Sequence, residues 1–228
     1  MSGNLVQGGC WNLGLWVAKS HQVSNFPTIT WAEPGDLAAV AARIAAEVAR
    51  PGEKRIAMAG GSTPGKVLAF LASQNLDWSC VTIVPTDDRQ VPADHPASNL
   101  GALRTAFAGT AATIAPLVEG ERPDKFDLVW LGMGIDGHIA SLFPRMCALP
   151  RRRRRVIATT PIPLPPEAPF ARLSLNRKAL AATREIILVV TGRDKRIVIE
   201  HALAGADCYP VSDILRGGGP PVTIYWSE

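Results

Sequence analysis

The sequence predicts an α/β protein: an open, mostly parallel sheet with helices on both faces, Rossmann-like in arrangement. Short apolar runs alternate with amphipathic helical stretches along the whole chain, the pattern of parallel strands joined by crossover helices. One run, Leu128 to Leu131, is continuously apolar and ends in glycines, as a buried strand feeding a turn should be. With 228 residues, 47% of them hydrophobic, the chain has material for one sizeable core.

The elements follow in order. Residues 1–25 carry Trp11 and Trp16 among glycines without clear periodicity, and read as an N-terminal extension to a single α/β domain over 26–228. Glu33 to Arg50 reads as a helix, because Ala38, Val40, Ala41, Ile44, Ala45 and Val48 recur at helical spacing and Gly52 follows. Arg55 to Ala59 is a strand that runs into Gly60-Gly61-Ser62-Thr63-Pro64, and Gly65 to Ser73 is the helix behind it. Pro64 suits a first helical turn, where its missing N–H costs nothing. Val81 to Val84 is the second strand, Pro85 to Pro96 a polar loop, and Ala97 to Phe107 a helix capped by Ser98 or Asn99. Asp127 to Leu131 is the third strand. Arg151 to Pro169 reads as a surface loop with one strand at Val156 to Ala158. Arg172 to Leu175 forms a strand, Asn176 to Ala182 a short helix, Glu185 to Val190 a strand, Asp194 to Leu203 a helix, and Val222 to Trp226 closes the sheet.

Composition removes several function classes. Cys10, Cys80, Cys147 and Cys208 form no C-x-x-C pair, which argues against a zinc knuckle or a dithiol redox site. Cys80 opens an apolar strand and reads as a small core hydrophobe. No run reaches the roughly 18 apolar residues that span a bilayer, and Met1 to Ser20 lacks the basic start of a secretory signal. A soluble cytoplasmic protein is therefore expected, with no membrane partner. The net charge of +4 is modest. The run Arg151 to Arg155 lacks interleaved aromatics, so it reads as a solvated loop and no nucleic-acid partner is expected.

Three loops carry the chemistry. Gly132, Gly134 and Gly137 satisfy G-x-G-x-x-G after a strand, the dinucleotide fingerprint. That fingerprint wants an acidic residue about 20 positions on, yet Ile139 to Pro166 contains no Asp or Glu, and Pro144 interrupts the helix that should follow. A nicotinamide or flavin is thus not expected. Asp136-Gly137-His138 is instead the best catalytic pair, a carboxylate two residues from an imidazole it can orient. A metal is the rival reading, but one histidine with scattered carboxylates is not a specific ligand set. Gly60, Gly61, Ser62 and Thr63 sit between a strand and a helix, where free N–H groups and the helix dipole favour an anion. The P-loop and nucleophile-elbow patterns are both absent there. Asp87-Asp88-Arg89 follows the second strand and should reach the same sheet edge; the Arg89 fork suits phosphate or a developing oxyanion. His95, between Asp94 and Pro96, reads as an exposed turn residue. Arg172 and Lys195 are further phosphate candidates, although plain surface charge is the simpler reading of either taken alone.

Together these motifs resemble the 6-phosphogluconolactonase family. Gly60-Gly-Ser-Thr-Pro64, Asp87-Asp-Arg-Gln-Val-Pro92 with Ser98-Asn99, and Gly132-Met-Gly-Ile-Asp-Gly-His-Ile-Ala-Ser-Leu-Phe-Pro144 occur in its order and spacing. The resemblance implies a fold of the NagB/RpiA/CoA transferase-like kind, shared with glucosamine-6-phosphate deaminase and ribose-5-phosphate isomerase. The deaminases carry a similar Asp-Gly-His but a Phe-Asn-Glu-Pro type ending; Ala140-Ser-Leu-Phe-Pro144 is the lactonase version. The family usually has Asp-Glu-Arg where this chain has Asp87-Asp88-Arg89, and the resemblance does not say which of the two carboxylates meets substrate. Pro169-x-x-Arg172 and Gly192-x-x-Lys195 match two further segments, implying that Arg172 and Lys195 help hold a phosphate.

The implied reaction is hydrolysis of 6-phospho-D-glucono-1,5-lactone; the alternatives are a sugar-phosphate deaminase or isomerase on the same scaffold, or a non-enzymatic sugar-phosphate sensor. His138 would be the base, oriented by Asp136, with Arg89 or backbone N–H groups on the oxyanion. Gly60, Gly61, Ser62, Thr63, Asp87, Arg172 and Lys195 would bind substrate. No metal or organic cofactor is expected, and a monomer is.

Overall fold

The computed structural model describes residues 26–33, 35–60, 65–146, 153–166, 168–206 and 209–228, and the backbone alone of 62–64. Seven strands form one all-parallel sheet: β1 (Ile29–Trp31), β2 (Lys54–Met58), β3 (Val81–Pro85), β5 (Thr113–Ile114), β6 (Phe126–Gly132), β9 (Thr183–Thr191) and β10 (Val222–Ser227). Their spatial order is β1-β10-β9-β6-β2-β3-β5. Three more strands, β4 (Asp87–Arg89), β7 (Val156–Thr159) and β8 (Arg172–Leu175), form a small antiparallel sheet in the order β4-β8-β7.

Both faces of the large sheet are covered, as expected. Along β6, Val129 and Leu131 join one core with α4 (Arg177–Leu180), α5 (Arg193–Ala204) and α6 (Ser212–Arg216). Leu128 and Trp130 join the other, with α1 (Leu37–Val48), α2 (Ser62–Ser73) and α3 (Asn99–Ala106). All four side chains are fully buried, each contributing about 1.5–3 kcal/mol through apolar burial. Strand periodicity thus explains why Leu128 to Leu131 is apolar at every position: a strand covered on both sides has no face left for polar residues.

The order of strands places the site. From β2 the chain builds outward through β3 and β5, then returns to lay β6 on the other side of β2 and builds outward again through β9 and β10. The order in which strands are added therefore reverses between β2 and β6, while the strands stay parallel. Ligands in open α/β sheets bind beyond the strand carboxyl ends at such a switch point. Gly60 follows β2 there, and the Gly132–His138 bend follows β6.

Several expectations are corrected. The polar stretch after β3 is not all loop: Asp87–Arg89 pairs with Arg172–Leu175 as a strand. Three residues of charged side chains carry no strand signal of their own; the pairing with β8 makes them one. β1, β5 and α6 carry no sequence signal of their own, being short elements held by neighbours rather than by pattern. The first helix begins at Leu37, with Asp36 accepting from the Ala39 N–H at 2.8 Å, rather than at Glu33. Ser98, not Asn99, caps α3, accepting from the Gly101 N–H at 3.0 Å. Cys80 is exposed, lying just ahead of β3 rather than within it. The extension over 1–25, Pro34 and the start of the arginine run lie outside the described residues.

Candidate active site

A cleft of about 310 Å³ opens at the switch point. Gly60, Asp87, Arg89, His138, Arg172 and Lys195 all line it. Six of the expected site residues therefore meet, although they come from five separate segments. Asp136 touches the cleft through His138. Gly61 and the side chains of Ser62 and Thr63 lie outside the described residues, so the cradle proposed for them is placed only by its start at Gly60.

The bend after β6 builds the candidate base. Asp136 Oδ1 lies 2.6 Å from His138 Nδ1 and also accepts from the His138 backbone N–H at 3.2 Å. Burial of Asp136 opposes its ionisation, but the hydrogen bond and charge of His138, with backbone N–H donors, outweigh it and hold the carboxyl below the usual aspartate range. An ionised acceptor at Nδ1 keeps the proton on that nitrogen and leaves Nε2 with its lone pair. The imidazole stacks on Phe143, ring centroids 4.4 Å apart, and remains 31% exposed toward the cleft.

The bend needs its glycines for two different reasons. A Cβ at Gly134 would stand 2.2 Å from His138 Cε1 and 2.7 Å from Asp136 Oδ1. Gly137 has φ +76, where L side chains are rarely found, and a Cβ there would strike Tyr209. Its carbonyl also accepts from the Val211 N–H at 3.0 Å. What resembled a dinucleotide fingerprint is thus a turn packed around the hydrogen-bonded Asp136–His138 pair.

The small sheet supplies the cations. Arg89 and Arg172 are direct partners across the β4–β8 ladder, and both line the cleft. Arg89 Nη1 donates to the Ala97 carbonyl at 2.9 Å; Arg172, buried, donates through Nη2 to the Ala168 carbonyl at 3.2 Å and sits 5.3 Å from the Phe143 centroid. Two guanidinium groups thus stand side by side at one edge of the cleft. Lys195, in the first turn of α5, adds a third cation. The Lys195 ammonium makes no ion pair among the described residues, and Gly192 starts α5 without a side-chain cap.

The two adjacent aspartates separate by strand alternation. Asp88 points away from the cleft and caps α3, accepting from the Asn99 N–H at 2.6 Å, the Leu100 N–H at 3.2 Å and Ser98 Oγ at 3.3 Å. Asp87 faces the cleft wall, buried, and accepts from Ser141 Oγ at 2.5 Å and Thr86 Oγ1 at 3.3 Å. Asn99 closes that wall, donating to the Asp87 carbonyl at 2.8 Å; a Cβ at Gly60 would fall 2.0 Å from Asn99 Oδ1. His95 is not part of the site: its Nδ1 accepts from the Ala97 N–H at 3.0 Å and its ring meets Phe170 edge-on. Sequence reasoning missed Phe143 and Ser141, whose roles depend on partners distant along the chain, and Asn99, which it weighed only as a helix cap.

Comparison with known proteins agrees with this architecture. The model of the family described as glucosamine-6-phosphate isomerases/6-phosphogluconolactonase matches residues 36–223. A 6-phosphogluconolactonase of Pseudomonas aeruginosa is 34% identical over 218 residues, covering 84% of this chain and 89% of that protein. One from Caulobacter vibrioides is 36% identical over 204 residues, covering 79% and 86%. The crystal structure of a 6-phosphogluconolactonase from Shewanella baltica superposes with a TM-score of 0.75 at 29% identity, covering 89% of this chain and 98% of that one. A monomeric glucosamine-6-phosphate deaminase, 18% identical, shares the fold with a TM-score of 0.70. The chain belongs to the glucosamine-6-phosphate isomerase/6-phosphogluconolactonase family.

Proposed function

We propose that this protein hydrolyses 6-phospho-D-glucono-1,5-lactone to 6-phosphogluconate, the second step of the oxidative pentose phosphate pathway. The observation that carries the reading is the opposed Arg89–Arg172 pair, reinforced by Lys195, sharing one cleft with the Asp136–His138 dyad. A phosphorylated lactone supplies an anion at one end and an electrophilic carbonyl at the other. The relatives named 6-phosphogluconolactonase, at 34% and 36% identity over most of this chain, support the same substrate.

His138 Nε2 takes a proton from water, and the hydroxide adds to the lactone carbonyl carbon. Arg89, or N–H groups of the glycine turns, stabilises the oxyanion, where a preorganised donor acts most strongly. The carbonyl re-forms as the ring C–O bond breaks, and His138 returns its proton to the departing ring oxygen. The new carboxylic acid then ionises, releasing the proton that an assay reads. A lactone is an activated ester, so a base and water suffice; base catalysis of this kind contributes about 10²–10⁴-fold. Arg172, Lys195 and the turn from Gly60 to Thr63 hold the phosphate, with Asp87 shaping the wall beside it. Remote anchoring of this kind orients the reacting carbonyl. The reading assigns the activity to the cytoplasm and to a single chain.

The test is acid release in a pH-stat from freshly prepared phosphogluconolactone, against its spontaneous rate. His138→Ala should lose most of the enzymatic rate while keeping the thermal midpoint. Full activity in that variant removes His138 from the mechanism. Ammonia release from glucosamine 6-phosphate, without lactone turnover, would assign the chain to the deaminases instead.

A further inference from the structure

The loop that carries the base and the sheet that carries the arginines are joined by one buried residue. Ser141 is fully buried, three positions after His138 and next to Ala140, whose φ of +48 turns the chain inward. Its hydroxyl donates to Asp87 Oδ2 at 2.5 Å, and its backbone N–H donates to Ser174 Oγ at 3.2 Å. Ser174 in turn donates to the Leu175 carbonyl at 3.1 Å, and Thr86 braces the other Asp87 oxygen at 3.3 Å. Asp87 and Ser174 are themselves direct partners across the β4–β8 ladder. The next pair on the same face is Arg89 with Arg172. The base-bearing loop is therefore docked two ladder positions, roughly 7 Å, from the arginine pair.

We propose that Ser141 is a positioning residue that sets the distance between the His138 base and the phosphate-binding Arg172, by clamping the base loop onto the Asp87–Ser174 pair. This rests on the lactonase reading above. The dyad is local, since Asp136 orients His138 from two residues away. Its distance from Arg172 is not local, because β6 and β8 belong to different sheets. Bonds through the buried Ser141 side chain and backbone N–H cross that gap, in a water-poor setting where a missing partner costs more than in solvent. The clamp matters most to a substrate held at both ends. A lactone anchored by its phosphate presents its carbonyl at a fixed place, and a base displaced by even 1 Å can cost about 100-fold. An unphosphorylated lactone has no such anchor and re-seats itself against the displaced base.

The experiment compares 6-phosphogluconolactone with unphosphorylated D-glucono-1,5-lactone. Wild-type protein should turn over the phosphorylated lactone with the higher kcat/KM; no turnover of it by wild type would overturn the lactonase reading itself. Given that activity, Ser141→Ala should lower kcat/KM for the phosphorylated lactone about tenfold more than for the unphosphorylated one, with kcat moving more than KM. Ser174→Ala, which breaks the second arm without touching a cleft-lining residue, should shift the same ratio by less. Equal losses on both substrates would make Ser141 a support of the fold alone and overturn the proposal. If Ser141→Ala does not fold, the ratio in Ser174→Ala decides: a shift upholds the clamp, an unchanged ratio overturns it.

Discussion

Gly134→Ala is the sharpest probe of the dyad. A methyl group there would stand 2.2 Å from His138 Cε1 and 2.3 Å from His138 Nδ1, whereas ordinary contacts begin at 3.4 Å. Backbone flexing does not relieve this easily, because the Gly134 N–H is bound to the His138 carbonyl at 3.0 Å and the Gly134 carbonyl accepts from the Gly137 N–H at 3.0 Å. The imidazole must therefore shift by about 1 Å, and the 2.6 Å bond to Asp136 is lost with it. A misplacement of that size costs roughly 100-fold in rate. The cations Arg89, Arg172 and Lys195 are carried on other elements and stay in place. Steady-state kinetics on phosphogluconolactone should thus show kcat reduced about 100-fold with KM changed less than about threefold. The φ of Gly134 lies outside the left-handed region, so alanine brings no backbone strain, and the thermal midpoint should fall only by the small amount that the displaced imidazole and its bond to Asp136 contribute. A variant with wild-type kcat would refute the packing of the dyad against this glycine, and hence its assignment as the catalytic pair.

Other outcomes follow from the same geometry. Lys195→Met should raise KM about tenfold or more by removing a charge-assisted contact to phosphate, with the unfolding midpoint unchanged because that ammonium has no ion-pair partner to lose among the described residues; an unchanged KM would put the phosphate elsewhere. Asp136→Asn should lower kcat without abolishing binding, since an amide no longer holds the proton on Nδ1. The same variant tests acid stability. A carboxyl whose native pKa is depressed contributes stability that is full above its unfolded value, about 3.9, and is lost as pH falls through the lower native value. Denaturant midpoints taken at about pH 6 and about pH 3 should differ less in Asp136→Asn than in wild type, by under about 1 kcal/mol because the carboxylate is 44% exposed. Gly65→Ala lies inside α2 with nothing within 4 Å of the added methyl, and should stabilise the fold by about 0.5–1 kcal/mol in thermal or urea unfolding; destabilisation there would contradict the helix.

The sequence by itself determined the class of fold and the pairing of Asp136 with His138, because both are written locally. Alternating apolar runs and helical spacing report neighbours within a turn or a strand. Asp136 and His138 stand two residues apart, close enough to hydrogen-bond through the bend they share. The glycines around them were visible too, although whether they served a nucleotide or a packed turn depended on what filled the space above them.

Only the tertiary structure decided the roles of Asp87 and Asp88. The two look alike in a polar stretch, and nothing local says that the stretch is a strand. Pairing with residues 172–174 makes it one, and period-two alternation then sends Asp87 to the cleft wall and Asp88 to the start of α3. The opposition of Arg89 to Arg172 and the docking of Ser141 on Asp87 are contacts of the same kind. Each joins side chains more than 50 positions apart in the chain, and composition, periodicity and short-range spacing hold no information about which distant residues will face each other once the sheets close.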